Sequence, residues 1–272
     1  MLEHIKNHIY HVEILPPKQN SEKLKADLQG FADKFNRIMD SGYCACITDN
    51  AMGLLAFQGH ETIEHLKLRL LPEQVIIHLN TFHSKRDLDA LLGECKDMGV
   101  KYLLIISGDG SNRLPKLSPK DLNISGTAAV TSVELLAYIR ENYPDFVLGV
   151  AFNPYEPAEE EFAKLDRKLA AGASFIITQP IIERNAIVDE MLEKYPDVPV
   201  IIEAWMSKKI HLLSDAVGYK IPEDMKFAPL ATLKELHRIY PQCGMYLTLL
   251  GFKTQYHLVE GIWEQVAKGG LQ

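Results

Sequence analysis

The chain alternates between short apolar segments and longer segments in which apolar residues recur every three or four positions. The short segments are rich in β-branched residues and end in polar clusters, which is typical of buried parallel strands whose carboxyl ends open into a site. Two of the clearest run from Val75 to Asn80 and from Tyr102 to Ser111. The pattern predicts eight strands: Ile9–Leu15, Tyr43–Thr48, Gln74–Asn80, Tyr102–Ser107, Phe146–Phe152, Ser174–Gln179, Val198–Ala204 and Gly244–Leu250.

Helical periodicity is clear in six segments between and after these strands. The predicted helices are Ser21–Met39, Ser84–Met98, Ser132–Asn142, Pro157–Ala171, Glu183–Tyr195 and Thr254–Ala267. Weaker helical patterns cover Glu61–Leu70 and Ser207–Gly218, the latter extending to Tyr240. Ser84 and Ser132 are the predicted N-caps of their helices, and Gly99 and Gly172 are predicted to follow helix ends.

Alternating strands and helices imply parallel pairing with right-handed crossovers. Eight such units favour closure into a (β/α)₈ barrel, and the 272 residues suit a single barrel domain over positions 1–272. The segment Ser107–Thr131 is a long loop with several glycines and prolines. Because it follows a strand, we expect it on the face of the barrel that carries the active site.

Composition narrows the class of protein. Hydrophobic residues make up 47% of the chain and charged residues 24%, and the formal net charge is −7. An acidic chain argues against general nucleic-acid binding, which needs a basic face. We find no apolar run near the roughly 18 residues that span a bilayer and no signal-peptide pattern at Met1, so the expectation is a cytoplasmic protein without a membrane partner.

The four cysteines are few and scattered, which is typical of reduced thiols. Cys44 and Cys46 alternate on one predicted strand and would point to the same side of it. A zinc site there would need further ligands, such as Cys243 or a histidine at a strand end. The interpretation as small buried strand residues is favoured, so no metal site is predicted.

Polar side chains stand at or near the ends of the predicted strands, where a barrel would bring them together. They are Glu13, Thr48, Asp49, Asn50, His78, Asn80, Asp109, Asn153, Thr178, Gln179 and Glu203. Glu13 lies between Val12 and Ile14, and a buried carboxylic acid with a raised pKa would suit a general acid at neutral pH. The alternatives are a loop-capping carboxylate for Glu13, a core histidine for His78 and a turn residue for Asp109.

Familiar cofactor and hydrolase motifs are absent from the sequence. There is no Gly-x-Gly-x-x-Gly motif after the first strand, no Walker-type loop, no zinc-protease helix motif and no nucleophile elbow. A dinucleotide cofactor would therefore lie across the mouth of the barrel and not in a Rossmann unit.

Five segments together resemble the methylenetetrahydrofolate reductase family, whose members are flavin-dependent (β/α)₈ enzymes of one-carbon metabolism. The segments are VEILPPK at 12–18, IHLN at 77–80, GD at 108–109, LDRKLAAGA at 165–173 and ITQP at 177–180. They occur in the family's order and at similar spacing, and they cover most of the chain. The resemblance is specific for the superfamily and less specific for the activity.

The resemblance implies a role for each matching residue. Glu13 would be the general acid that activates the one-carbon bridge of the folate, and Asp109 would lie beside the flavin ring and the folate. Gln179 would orient the pterin. The FAD site would include Thr48, His78, Gly108, Asp109, Phe152, Glu161, Arg167 and Lys168, with Lys168 at the pyrophosphate. Without the resemblance, Arg167 and Lys168 would be interpreted as a solvated helix face.

Three departures indicate a divergent member. Ser107 stands where the family usually has arginine, Phe152 replaces a flavin-stacking tyrosine, and Leu249–Lys253 differs from the family's last-strand pattern. The leading hypothesis is FAD-dependent reduction of methylenetetrahydrofolate to methyltetrahydrofolate, a step toward methionine biosynthesis, with NADH, NADPH or a partner subunit as electron donor. The alternatives are a folate-binding methyltransferase barrel with a corrinoid or zinc partner, and a non-catalytic subunit of a one-carbon complex. The sequence leaves open whether the chain forms a homo-oligomer.

Overall fold

A computed structural model describes Ile5 and residues 10–110, 113–218, 220–222, 225 and 227–267. Eight parallel strands pair in sequence order and close into a barrel, β1 through β8. The predicted (β/α)₈ class is therefore confirmed. Its extent as a single domain over positions 1–272 stays a prediction.

All eight predicted strands are present, each shorter than predicted or shifted by one or two residues. They are β1 Tyr10–Ile14, β2 Cys44–Ile47, β3 Val75–Leu79, β4 Tyr102–Ile105, β5 Val147–Phe152, β6 Phe175–Thr178, β7 Val200–Trp205 and β8 Gly244–Thr248. Every residue of β2, β3, β4, β6 and β8 is buried. This continuous burial is the reason that parallel strands appear in a sequence as uninterrupted apolar runs.

The described residues also form nine α-helices of seven to seventeen residues. They are α1 Leu24–Asp40, α2 Gly59–His65, α3 Lys85–Asp97, α4 Ser132–Asn142, α5 Ala158–Ala170, α6 Ala186–Lys194, α7 Ile210–Val217, α8 Pro229–Ile239 and α9 Phe252–Ala267. Short 3₁₀ helices cover Ala51–Gly53 and Pro72–Gln74. The weakly patterned segments are helical in part: α2 overlaps the first of them over residues 61–65, and α7 and α8 lie in the second.

The first helix, α1, buries one stripe of apolar side chains, as its periodicity predicts. In α1 the buried side chains include Phe31, Phe35 and Ile38, spaced by four and three residues. In the part of the chain that the structure describes, no helix is both long and apolar enough to cross a bilayer. The loop predicted over 107–131 contains no helix or strand among its described residues, and Ser111 and Asn112 lie outside them.

The chain divides into two compact units. One consists of Met1–Glu13, Phe152–Leu165 and Phe175–Gln272, and includes β6, β7, β8 and most of β1. The other consists of Ile14–Ala151 and Asp166–Ser174, and includes β2, β3, β4 and most of β5. We refer to them as the β6–β8 unit and the β2–β4 unit.

One predicted helix cap is correct and one is wrong. Ser84 caps α3, because its hydroxyl accepts the backbone N–H of Asp87 at 3.1 Å. Ser132 does not cap α4; the cap is Thr131, which forms a capping box with Glu134. Ser132 is instead the first residue of the helix and is buried. An N-cap needs an extended backbone before the helix, and the sequence offers Thr131 and Ser132 as adjacent candidates of equal chemistry.

The two candidate caps of α4 can be separated by substitution. Thr131→Ala should lower the free energy of unfolding by about 1 kcal/mol, because it leaves backbone N–H groups of the first turn without their acceptor. Ser132→Ala should have a smaller effect, since alanine suits the first helical position. Urea unfolding followed by circular dichroism measures both. Equal losses for the two variants would contradict the assignment of the cap.

Candidate active site

The interior face of the β6–β8 unit carries two glutamates on nearby strands. The phenol of Tyr10 on β1 bonds His237 of α8 at 3.1 Å, and its ring also packs on Trp263 of α9, so Tyr10 faces outward. Side chains alternate along a strand, so His11 and Glu13 face the barrel interior. His11 fits there because β8 has a glycine at that level: a Cβ on Gly244 would lie 3.3 Å from its ring.

Glu13 is held by a tyrosine from the neighbouring strand. The hydroxyl of Tyr246 on β8 donates to Glu13 Oε2 at 2.8 Å. In the pairing of β1 with β8 the direct partner of Tyr246 is His11, and the tyrosine side chain reaches the Glu13 carboxyl two residues further along β1. Burial raises the pKa of the Glu13 carboxyl above its ordinary value of 4.5, and the hydrogen bond from Tyr246 only partly opposes this.

Glu203 on β7 lies on the other side of Tyr246. The two residues are direct partners in the pairing of β7 with β8. The Thr248 hydroxyl donates to Glu203 Oε1 at 2.6 Å, and the backbone N–H of Glu203 donates to Thr178 Oγ1 of β6 at 3.0 Å. The pKa of Glu203 is raised to about 8, chiefly by burial and also by the nearby charge of Glu13, while the bond from Thr248 partly opposes both effects.

Glu13 and Glu203 are both half-buried, so part of each residue is accessible to solvent. The protein packed around them still raises the pKa values of both carboxyls. A half-buried acid that keeps its proton can meet a ligand and donate to it. This is the arrangement that general acid catalysis requires.

Three further predicted site residues lie in the β6–β8 unit. Gln179 follows β6, is half-buried, and donates its backbone N–H to the carbonyl of Phe152 at 2.7 Å. Phe152 is fully buried and packs on Phe162 with ring centroids 5.6 Å apart. Glu161 is also buried, and its Oε1 accepts the backbone N–H of Asn153 at 2.9 Å.

A second polar cluster lies at the carboxyl ends of β2 and β3, in the β2–β4 unit. Asp49 is buried and its side chain accepts four hydrogen bonds. The donors are the Asn80 backbone N–H at 2.9 Å, His83 Nε2 at 2.7 Å, Asn50 Nδ2 at 2.9 Å and Gln58 Nε2 at 3.3 Å. So many donors satisfy a buried carboxylate, and the cluster ties the loops after both strands together.

Asp109 lies in the loop after β4, where its Oδ2 accepts the backbone N–H of Met52 at 2.7 Å. The preceding residue, Gly108, has a φ of +82°, and a Cβ there would stand 2.7 Å from the Cβ of Asn80. Gly110 is closer still to Phe82, since its Cβ would lie 2.3 Å from the Phe82 ring. The glycines therefore allow this loop to pack tightly against the loop after β3.

Thr48 and His78 are both buried near the ends of their strands. The backbone N–H of Thr48 donates to the carbonyl of Ile14 at 3.2 Å. Burial lowers the pKa of His78 to about 4, with the charge of Asp49 acting in the opposite direction. His78 is therefore a neutral imidazole at physiological pH.

A cavity of about 250 Å³ opens in the same unit, beside the Asp49 cluster. Its polar lining includes His60, Glu61, His83, Asp87 and Glu94, and its apolar lining includes Leu55, Phe82, Leu91, Leu114 and Pro115. Its lining contains acidic and neutral groups but no lysine or arginine. Such a lining is unsuited to a phosphate group.

The residues that the resemblance assigns to FAD do not fit that role well. Lys168 is buried, and its ammonium donates to the carbonyl of Ala151 at 2.7 Å, which leaves it poorly placed to meet a pyrophosphate. Glu161 is engaged with the backbone of Asn153, and Phe152 is covered by Phe162. Of the charged residues in this set, Asp109 and Arg167 are exposed.

Several site residues were not singled out from the sequence. Tyr246 and Thr248 alternate along β8 and face the two glutamates, and His83 bonds the Asp49 carboxylate. A polar residue at every second position of an otherwise apolar strand was the available signal for the first two. Among the described residues, no group of three histidine, cysteine, aspartate or glutamate side chains is arranged to hold a metal ion. All four cysteines are buried.

The closed parallel barrel and the polar groups at its strand ends define the class of this protein as a (β/α)₈ barrel with a candidate site of the kind found in barrel enzymes. The chain belongs to the methylenetetrahydrofolate reductase family, whose model matches residues 1–243. The resemblance seen in the sequence is therefore confirmed. No curated protein shows a significant sequence match to the chain.

Solved structures with the same fold include an uncharacterized protein from Clostridium thermocellum that binds two copies of 5-methyl-5,6,7,8-tetrahydrofolic acid. It is 14% identical, with a TM-score of 0.62, covering 95% of this chain and 96% of that one. A phosphonopyruvate hydrolase complex with oxalate and Mg²⁺ is 10% identical, with a TM-score of 0.51, covering 99% and 86%. At these identities the likeness shows the fold alone.

The pKa of Glu203 predicts how stability depends on pH. The folded protein keeps a proton on this carboxyl up to about pH 8, whereas the ordinary pKa of 4.5 means that the unfolded chain loses it earlier. The free energy of unfolding should therefore fall as the pH rises between these values, by up to about 1.4 kcal/mol per pH unit for one retained proton. Glu203→Gln should flatten this slope in urea unfolding measured at a series of pH values.

Glu264→Gln is the matched control, because Glu264 is exposed on α9. This variant should keep the slope of the wild-type protein. The same slope in Glu203→Gln and in the wild type would show that Glu203 does not hold the proton.

Proposed function

We propose that this protein binds a reduced folate and reduces 5,10-methylenetetrahydrofolate to 5-methyltetrahydrofolate, with Glu13 as the general acid. Membership of the family and the raised pKa of Glu13 support this proposal. The observation that carries it is a half-buried carboxyl with a raised pKa, held by a single hydroxyl donor at the end of β1. A raised pKa favours the protonated form, which can release its proton to a bound substrate.

The chemistry begins with the five-membered ring that the methylene carbon forms with N5 and N10 of the folate. Glu13 donates its proton to N10, the bond between the methylene carbon and N10 breaks, and its electron pair stays on N10. The methylene carbon is then double-bonded to N5, which carries a positive charge. A hydride from reduced nicotinamide, or from a partner electron donor, adds to this carbon, and the electron pair of the double bond returns to N5.

Gln179 is proposed to orient the pterin, because its side chain is half-buried at the end of β6 and its backbone is fixed by the carbonyl of Phe152. Asp109 is proposed to lie beside the substrate. Its carboxylate fixes the loop after β2 through Met52 and retains acceptor capacity for a ligand. Positioning groups of this kind hold a substrate in the geometry of reaction.

We propose FAD as a cofactor on the basis of the family resemblance alone. If bound, it would supply hydride transfer. Because Lys168 and Glu161 are engaged with the backbone, we propose weak FAD binding, with hydride delivered from nicotinamide or a partner electron donor as the expected route.

A folate-binding methyltransferase barrel is the second candidate. The neighbour from Clostridium thermocellum binds 5-methyltetrahydrofolic acid, which is the product of the reductase and the methyl donor of such a transferase. This candidate would use Glu13 and Gln179 as pterin contacts and would need a corrinoid or zinc partner. The two candidates are separated by measuring the oxidation of reduced nicotinamide with and without methylenetetrahydrofolate. Only the reductase should oxidise nicotinamide in a folate-dependent way.

The role of Glu13 predicts a selective loss. Glu13→Gln keeps the size and the hydrogen bonding of the side chain but removes the acidic proton, so folate reduction should fall by about 10²–10⁴-fold. Binding of 5-methyltetrahydrofolate, measured by isothermal titration calorimetry, should change much less. Glu264→Gln serves as the control for both measurements. Unchanged folate reduction in Glu13→Gln would rule out its role as the acid.

The packing of Lys168 predicts the strength of flavin binding. Titration of the protein with FAD, followed by flavin fluorescence, should give a dissociation constant weaker than about 10 μM. Lys168→Met should reduce thermal stability, because it removes the hydrogen bond to Ala151, and should leave FAD affinity nearly unchanged. Tight FAD binding that is lost in Lys168→Met would contradict this assignment.

A further inference from the structure

Glu203 is a titratable residue to which the proposed mechanism gives no role, although it lies beside the general acid. It lies within an apolar strand, where Ile201 and Ile202 precede it and Ala204 follows. A carboxyl in such a position is costly unless its charge is compensated or its proton is kept. Within the part of the chain that the structure describes, neither Glu203 nor Glu13 forms a salt bridge.

The arrangement around Tyr246 brings the two carboxyls together. Tyr246 is the direct neighbour of Glu203 in the pairing of β7 with β8, and its hydroxyl bonds Glu13 on β1. Each carboxyl thus receives one side-chain donor, from Tyr246 or Thr248. One hydroxyl each is too little to stabilise two adjacent negative charges in a poorly hydrated interior.

The groups that face this pair include no lysine or arginine among the described residues. From β1 the titratable neighbours are His11 and Glu13, and from β8 the neighbour is Tyr246. From β6 the facing residue is Thr178, which does not titrate. The helix α8 packs on the other face of the sheet, where His237 bonds Tyr10. Burial lowers the pKa of His237 to about 4, so His237 is neutral at physiological pH.

We propose that Glu13 and Glu203 form a carboxyl pair that shares one proton at neutral pH, with Glu203 as the positioning residue that keeps Glu13 able to act as an acid. This inference rests on the proposed function for its catalytic consequence but not for the sharing of the proton. When Glu13 donates to N10, the pair loses its proton and becomes doubly negative. It then stabilises the positive charge that develops on N5, and a proton from water restores it after hydride transfer.

The sharing of a proton can be measured without a substrate. Infrared difference spectroscopy over a pH titration follows the C=O stretch that only a protonated carboxyl shows. The wild-type protein should keep this band through pH 7 and lose it near pH 8. In Glu203→Gln the remaining carboxyl should titrate at least one pH unit lower, because the repulsion by its partner is gone. Glu13→Gln should shift the Glu203 titration by a similar amount, since coupling is reciprocal.

The catalytic consequence has its own readout. In Glu203→Gln the alkaline limb of the pH profile for folate reduction should move at least one pH unit lower, while Glu264→Gln keeps the wild-type profile. If Glu203→Gln does not fold, Thr248→Val tests the same pair with both carboxyls present. Removing the Thr248 donor should raise the midpoint of the infrared band, because that bond favours the ionised form of Glu203.

The outcomes separate this inference from the proposed function. Infrared midpoints that are unchanged in both single glutamine variants would overturn the carboxyl pair, whatever the enzyme does. Coupled midpoints in a protein that reduces no folate would uphold the pair and overturn the proposed function. Active wild-type enzyme whose pH profile is the same in Glu203→Gln would overturn the positioning role of Glu203.

Discussion

The candidate site depends on the register of three parallel strands. Backbone hydrogen bonds pair β1 with β8 and β8 with β7, and side chains alternate between the two faces of each strand. Once this register is set, Tyr246 lies beside Glu203 on one strand and His11 on the other, and its hydroxyl reaches Glu13 two residues beyond His11. A shift by one residue would turn the carboxyls toward the helices and replace them with Val12 and Ile202. The electrostatic properties of the site are therefore a consequence of the main-chain pairing.

Buried Asp49 and the half-buried Glu13 and Glu203 have different hydrogen-bond environments. Asp49 accepts four hydrogen bonds and holds together the loops after β2 and β3. Glu13 and Glu203 each accept one from a side chain, and burial raises the pKa values of both. The number of donors explains the difference, because hydrogen bonds to the charged form favour ionisation and desolvation opposes it. The first arrangement suits a structural role, and the second suits an acid.

Family membership and cofactor use need not change together. The segment at residues 165–173 is among those that resemble the family, and in this chain it has clear structural uses. Lys168 bonds the carbonyl of Ala151, and Gly172 has a φ of +108° where a Cβ would meet Arg140 at 2.7 Å. Arg140 in turn donates to the carbonyl of Gly172 at 2.7 Å. Packing alone therefore gives this motif a structural use that does not depend on FAD.

The sequence by itself determined the barrel class, all eight strands and the family, because buried parallel strands leave an apolar run with a polar end. It also identified Glu13, since a carboxylate within an apolar strand is conspicuous. It placed the cap of α4 one residue too late, because Thr131 and Ser132 have the same chemistry and only the backbone conformation distinguishes them. The tertiary structure alone decided that Glu203 lies beside Glu13, that Tyr246 and Thr248 supply their donors, and that Lys168 bonds a carbonyl. These relations join residues up to 233 positions apart in the chain. They follow from strand pairing and side-chain packing, which no local pattern encodes.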